Sequence, residues 1–343
     1  MELFKRILRT AVEGGASDVH LKVGNPVVFR IDGNLVDIES PLPTVEWVET
    51  ILQNIIPEHL KEVLQSEREI DFSYYLEGVG RFRTNCFQQR GTFALAMRYV
   101  KTDIPEFEEL GLIPVLKTIA EAPRGIVLVS GTTGSGKSTT LAAMLQHINK
   151  SSRKHIVTLE DPIEYLHPHK MCLINQREVG HDTEGFKEAL KYVLRQDPDI
   201  ILIGEMRDLE TIEAALTLSE TGHLVFATLH TNSSVQTINR IINVFPTYQR
   251  LHVRAQLSFV LQGVLSQQLL PKVGGGRVLA TELMVSNAAV RNLIREEKIH
   301  QIYSHIQVGQ AKYGTQTMNQ CLVELLGHEL ITEEDAMSRS PDA

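Results

Sequence analysis

"GIVLVSGTTGSGKSTTLAAML", Gly125–Leu145, decides the fold. Within it Gly131-Thr132-Thr133-Gly134-Ser135-Gly136-Lys137-Ser138 is a complete G-x-x-x-x-G-K-[ST] loop. An apolar strand precedes it and a helical stretch from Thr139 follows, which is the context such a loop requires. Glycines let the backbone wrap so that successive N–H groups point at phosphate oxygens, and the helix N-terminus adds partial positive charge. Thr133, Gly134, Ser135, Gly136, Lys137, Ser138 and Thr139 are therefore the expected nucleotide-binding residues. Lys137 is expected on the β- and γ-phosphates of ATP and Ser138 on Mg²⁺. A glycine-rich turn without a ligand is the alternative, and the flanking strand and helix argue against it.

Outward from this loop, short apolar strands alternate with helices. Ile126–Val129, Ile156–Leu159, Ile200–Ile203 and Leu224–Thr228 have no polar face, as strands of a parallel sheet covered on both sides do. "LRQDPDIILIGEMRD", 194–208, ends such a strand with Gly204 and Glu205. The strand is expected beside the one feeding the phosphate loop, so that Glu205 reaches the γ-phosphate and handles the attacking water. "IVTLEDPIEY" leaves Glu160, Asp161 and Glu164 at another strand end. Glu160 has two roles open to it, holding Mg²⁺ through water or positioning the nucleophile. His223 and His230 flank Leu224–Thr228. His230 is read as a γ-phosphate sensor or a contact to a neighbouring subunit, whereas a structural role suits His223 better.

The first hundred residues read as an α+β module. Leu3, Ile7, Leu8 and Val12 keep helical spacing until Gly14-Gly15, and Val27, Phe29 and Ile31 alternate into a turn at Asp32-Gly33. A second helix surrounds Val48–Ile56. "GRFRTNCFQQRGTFALAMRYV" reads as two strands joined at Arg90-Gly91, with Arg81 and Arg83 on one face. "KTDIPEFEELGLIP", 101–114, with prolines, a glycine and acidic residues, reads as a linker. After Pro246 a long helix is expected, carrying Val253, Leu257, Val260, Leu261 and Val264 on one stripe as far as Pro271. A strand at "RVLATELMV" and helices near 288–297, 299–308 and 318–326 follow, with a frayed tail over 336–343.

A net charge of −8 in 343 residues argues against bulk binding to nucleic acid or anionic lipid. The three cysteines, Cys86, Cys172 and Cys321, form no C-x-x-C pair, so no cysteine-rich zinc module is expected. The N-terminus has no apolar stretch of signal-peptide type and no window suits a membrane span, so a soluble, cytoplasmic protein is expected.

Four motifs in one order carry a resemblance: the phosphate loop, "TLEDPIE" as an aspartate box, L-R-x-x-P-D with G-E-x-R-D, and "TGHLVFATLHTN" as a histidine box. Together they resemble the secretion-type ATPases that power type II secretion and type IV pili. That resemblance implies a RecA-like P-loop ATPase core over 115–335, with mostly parallel sheet and helices on both faces. A smaller PAS-like α+β domain over 1–100, to which "SDVHLKVGNPVVFRIDG" is similar, would precede it. It implies catalytic roles for Glu205, Glu160 and His230, and for Arg81 and Arg83 as cations approaching the nucleotide. "AAVRNLIREEK", 288–298, resembles the A-I-R-N-L-I-R-E stretch of the pilus-retraction branch, with Val290 in place of Ile. The implied activity is a homohexameric Mg²⁺-ATPase driving pilus retraction and twitching motility. Its implied partners are an inner-membrane platform protein and the pilus base, at the cytoplasmic face of the inner membrane. Pilus assembly, type II secretion and a nucleotide-gated scaffold that barely hydrolyses ATP are the rival functions. A nucleic-acid translocase would share the core but lacks an aromatic and basic strand-binding platform here.

Overall fold

The computed structural model describes residues 1–31 and 33–341. It divides into two compact units, Met1–Lys101 and Thr102–Ala343. The strands of the first are β1 (Asp18–Lys22), β2 (Val27–Ile31), β3 (Asn34–Ile38), β4 (Glu69–Leu76), β5 (Gly80–Gln89) and β6 (Thr92–Tyr99). They form one antiparallel sheet in the order β3-β2-β1-β6-β5-β4. Helix Glu2–Glu13 ends at Gly14, and helix Val45–Ile55 starts on Thr44, whose hydroxyl accepts from the Trp47 amide. Phe4, Leu8, Phe29, Ile51, Phe82 and Met97 lie in the core these helices make with the sheet. Helix Glu58–Glu67 and strands β1 and β4 were not expected from periodicity. The Arg90-Gly91 turn has positive φ at both residues, 48° and 80°, which suits a two-residue hairpin. The turn expected at Asp32-Gly33 falls on Asp32, outside the described residues. Phe82, Thr84 and Cys86 are buried, and the alternation puts Arg81 and Arg83 on the opposite face of β5.

In the second unit the strands are β7 (Gly125–Ser130), β8 (His155–Glu160), β9 (Leu173–Glu178), β10 (Ile200–Ile203), β11 (Leu224–Leu229), β12 (Leu261–Pro271) and β13 (Arg277–Val285). Their order is β13-β12-β7-β11-β10-β8-β9, and only β13 runs antiparallel to its neighbour. Alternate residues of β7 feed two cores. Ile126 and Leu128 pack with helices Leu209–Glu220, Ser234–Val244 and Arg250–Val260, and Val127 and Val129 pack with helix Lys137–Ser151. Ile104, Phe107 and Leu112, in the stretch expected as a linker, are buried in this second core.

Two expectations are corrected. β10 is not beside β7: β11, buried along its whole length, is hydrogen-bonded to both. Nearness in sequence is only a tendency in sheet order, and β11 arrives later to fill the gap. The long helix after Pro246 stops at Val260, and Leu261 begins β12. β12 runs between β7 and β13 and is buried on both faces, so its apolar residues carry no period-two signal and continue the helical stripe by coincidence. The expected strand is β13. The C-terminal helices are Ala288–Arg295, Ile302–Val308, Gln310–Tyr313, Met318–Gly327 and Glu333–Arg339. The last of these enters the expected tail, capped by Thr332, and 342–343 lie outside the described residues.

Candidate active site

Parallel strands deliver their C-terminal ends to one edge, and the polar residues gather there. The phosphate loop leaves β7 through three glycines with positive φ, Gly131 (148°), Gly134 (79°) and Gly136 (89°), a backbone path closed to most side chains. Lys137 opens the following helix, and its Nζ donates to the carbonyls of Gly131 (2.8 Å) and Thr132 (3.0 Å). Burial lowers the pKa of this ammonium, and Glu205 and Glu164 act against that. β12 braces the loop from the other side: Gln267 Nε2 donates to the Ser135 carbonyl at 2.8 Å. Thr139 Oγ1 lies 3.0 Å from the Tyr165 hydroxyl.

A cleft of ≈ 580 Å³ joins this loop to the ends of β8, β10 and β11. Thr133, Gly134, Gly136, Lys137, Ser138 and Thr139 line it, as do Glu160, Glu205 and His230. Ser135, expected among them, is buried and does not line the cleft; its carbonyl accepts the bond from Gln267. Glu205 is brought to the cleft although β10 stands one strand further from β7 than expected. Its Oε1 lies 2.6 Å from Arg207 Nε and 3.2 Å from His230 Nε2, and Arg207 also donates to Oε2 at 2.7 Å. Burial pushes the Glu205 carboxyl up, but Arg207 and His230 outweigh it and hold it below the usual range. Glu205 is therefore ionised at neutral pH. Thr228 on β11 donates to the Gly204 carbonyl and accepts, through its own carbonyl, from the Met206 amide, so the turn carrying Glu205 is tied to the neighbouring strand.

Glu160 has the opposite electrostatics. Burial, reinforced by the charge of Glu164, raises its pKa to about 7, against hydrogen bonds from Thr158 (2.6 Å) and Gln176 (3.1 Å). A carboxyl raised on folding binds its proton more tightly in the folded state, so folded stability falls as pH climbs from 4.5 to about 7. Above that the loss is complete. Glu160→Gln keeps the acceptor and removes the titration. Its melting temperature relative to the unsubstituted protein should rise across this window, and a pH-independent difference would contradict the assignment.

His223 sits at the opposite end of β11, against Leu218 and Thr221, and takes no part in the cleft. Arg81 and Arg83 belong to the other unit, where Arg83 shares a shallow polar depression with Asp18, Glu69, Asp71 and Arg98. Arg207, Tyr165, Gln176 and Gln267 are site-forming residues not picked out from sequence. Arg207 alone carried a local signal, being two residues from Glu205; the others are brought in by β9, β12 and a loop.

The donors at the cleft suit Mg²⁺. No cluster of three or more His, Cys, Asp or Glu side chains able to hold a metal occurs among the described residues. Mg²⁺ keeps several waters and relies on few protein groups plus substrate phosphates. A serine hydroxyl at the helix start, with the carboxylates of Glu160, Asp161 and Glu164 lining the same cleft, fits that habit. No helix among the described residues is long and apolar enough to cross a membrane.

The family model for type II/IV secretion system proteins matches residues 1–275. The chain belongs to that family. It is 48% identical to the type IV pilus retraction ATPase PilT of Pseudomonas aeruginosa over 97% of each protein. It is 45% identical to a twitching motility protein of Neisseria gonorrhoeae, covering 98% of this chain and 90% of that one. A crystal structure of the pilus retraction motor PilT with bound ADP superposes with a TM-score of 0.91 at 50% identity, over 98% of this chain and 97% of that one. The family match spans both units, and the fold is the P-loop ATPase core preceded by an antiparallel-sheet domain.

Proposed function

We propose that this protein is an ATP-hydrolysing motor of type IV pilus retraction, working as a homohexamer on an inner-membrane platform protein at the cytoplasmic base of the pilus. The observation that carries this reading is end-to-end similarity to a retraction ATPase, at 48% identity over 97% of both chains. Within the cleft, the loop amides and Lys137 bind the phosphates of ATP. Lys137 exchanges the Gly131 and Thr132 carbonyls for phosphate oxygens, so its charge is already desolvated before the substrate arrives. Glu205 accepts the proton of the attacking water as its oxygen bonds to the γ-phosphorus and the bond to ADP breaks. His230 keeps Glu205 oriented and faces the γ-phosphate. Glu160, near half-protonation at neutral pH, positions water on the adjoining strand end. Ser138, with Glu160 acting through water as the alternative to positioning the nucleophile, would hold Mg²⁺, which would supply charge neutralisation for the phosphates. Arg81 and Arg83 supply further cationic charge to the transferred phosphoryl group.

Deletion of the gene in its host, followed by counting surface pili, tests the biological assignment. Surplus pili that fail to retract are expected. Bald cells would assign the protein to assembly instead, and steady-state phosphate release near background from the purified protein would make it a scaffold.

A further inference from the structure

A chain of buried hydroxyls joins the phosphate-loop strand to the histidine box. Ser130 Oγ, the last side chain of β7, lies 2.7 Å from Ser266 Oγ on β12 and 3.2 Å from Thr237 Oγ1. Thr237 is in the first turn of helix Ser234–Val244, and its hydroxyl also meets Thr231 Oγ1 at 2.7 Å and the Ser233 carbonyl at 2.8 Å. Ser130, Ser266 and Thr237 are fully buried. A hydroxyl has one proton and two lone pairs, so three neighbours saturate Thr237 and fix its position. The N-terminus of the same helix is held from β13, where buried Glu282 accepts from the Ser234 amide at 2.7 Å.

Two members of this chain are sequence neighbours of groups that act at the site. Ser130 precedes Gly131, whose carbonyl holds Lys137. Thr231 follows His230, whose Nε2 stands 3.2 Å from Glu205. From this we infer that Thr237 is a positioning residue, which with Ser130 and Thr231 sets His230 against Glu205 and ties that setting to the phosphate loop. The inference rests on the hydrolytic reading of Glu205 and His230. Apolar residues of the same shape would fill this space as well, so four hydroxyls from β7, β12, helix Ser234–Val244 and the loop before it need another reason. A saturated polar network gives one, because it admits a single arrangement of its members.

Thr237→Val keeps the shape and removes the oxygen; Thr237→Ser keeps the oxygen. Turnover in Thr237→Val is expected to fall roughly tenfold with ADP affinity within about twofold of normal, and Thr237→Ser to restore it. Added to His230→Ala, Thr237→Val should cost less than about twofold more, because both act through one group. Should Thr237→Val not fold, Ser130→Ala takes its place in the same cycle. Unchanged turnover in the single variant, or an equal further loss on the His230→Ala background, overturns the inference. Normal turnover in His230→Ala overturns it together with the role of His230, while leaving Glu205 and the phosphate loop standing.

Discussion

Glu205→Gln is expected to bind nucleotide normally and to lose turnover by about 10²–10⁴-fold, the range a positioned general base contributes. Three features lead to that figure. Glu205 is ionised at neutral pH because Arg207 and His230 overcome the effect of burial. It lines the same cleft as Lys137 and Ser138. Glutamine preserves shape but has no basicity, so binding survives and proton acceptance does not. Folding should be little affected, since the ion pair lost joins Glu205 to an Arg207 side chain that is 74% exposed. The Glu205 side chain is 20% exposed, and a pair open to solvent through its arginine contributes on the order of 1 kcal/mol. Phosphate release under saturating ATP, with ADP affinity measured in parallel, reads the result. Hydrolysis near the normal rate would remove Glu205 as the base. Arg81→Ala is the companion variant: hydrolysis should fall by more than affinity, and equal losses in both would make it a binding residue only.

How far the site is legible in sequence follows from how local each feature is. The phosphate loop is one continuous stretch whose glycines serve its own backbone path, so Gly131–Ser138 reads directly. Glu205 is legible because an apolar run that stops at a glycine and a carboxylate marks a strand tip. Its distance from the loop is not legible in the same way. β11 enters between β7 and β10 from residues not yet reached along the chain, and nothing in Ile200–Ile203 records which neighbour it will have. β12 escapes for a different reason. Val253, Leu257 and Val260 are a true helical stripe, and the doubly buried strand beginning at Leu261 extends it without a change of period. Losing β12 as a strand also loses Gln267 and Ser266, and with them the brace under the loop and the buried hydroxyl chain. In the N-terminal unit the hairpin around Arg90-Gly91 reads from its turn; β1 and β4 carry a period-two signal as well, with Val19 and Leu21, and Ile70, Phe72 and Leu76, on the buried face.

Gly131→Ala tests that brace directly and should have the largest effect of any single-methyl change in the loop. Gly131 has a φ of 148°, and a Cβ there would lie 2.4 Å from the Gln267 carbonyl oxygen and 2.5 Å from Ser135 Oγ. The first of these is backbone of β12, itself held between β7 and β13, so it cannot swing away as a side-chain tip can. Backbone strain at a glycine-only conformation costs of order 1–3 kcal/mol before the clash is added. Relief requires the loop to leave β12, which disturbs the Gly131 carbonyl that holds Lys137 and the Ser135 carbonyl that receives Gln267. Nucleotide binding should therefore fall by at least about a hundredfold, equivalent to roughly 3 kcal/mol. Gly134→Ala is the control. Its φ is 79° but a Cβ there meets nothing within 4 Å, so only the left-handed penalty of about 1–2 kcal/mol applies. Titration of both variants with a fluorescent ADP analogue, alongside thermal melts, separates the two costs. Equal losses in the two variants would mean that β12 does not press on the loop, and that the loop's glycines serve its own turn alone.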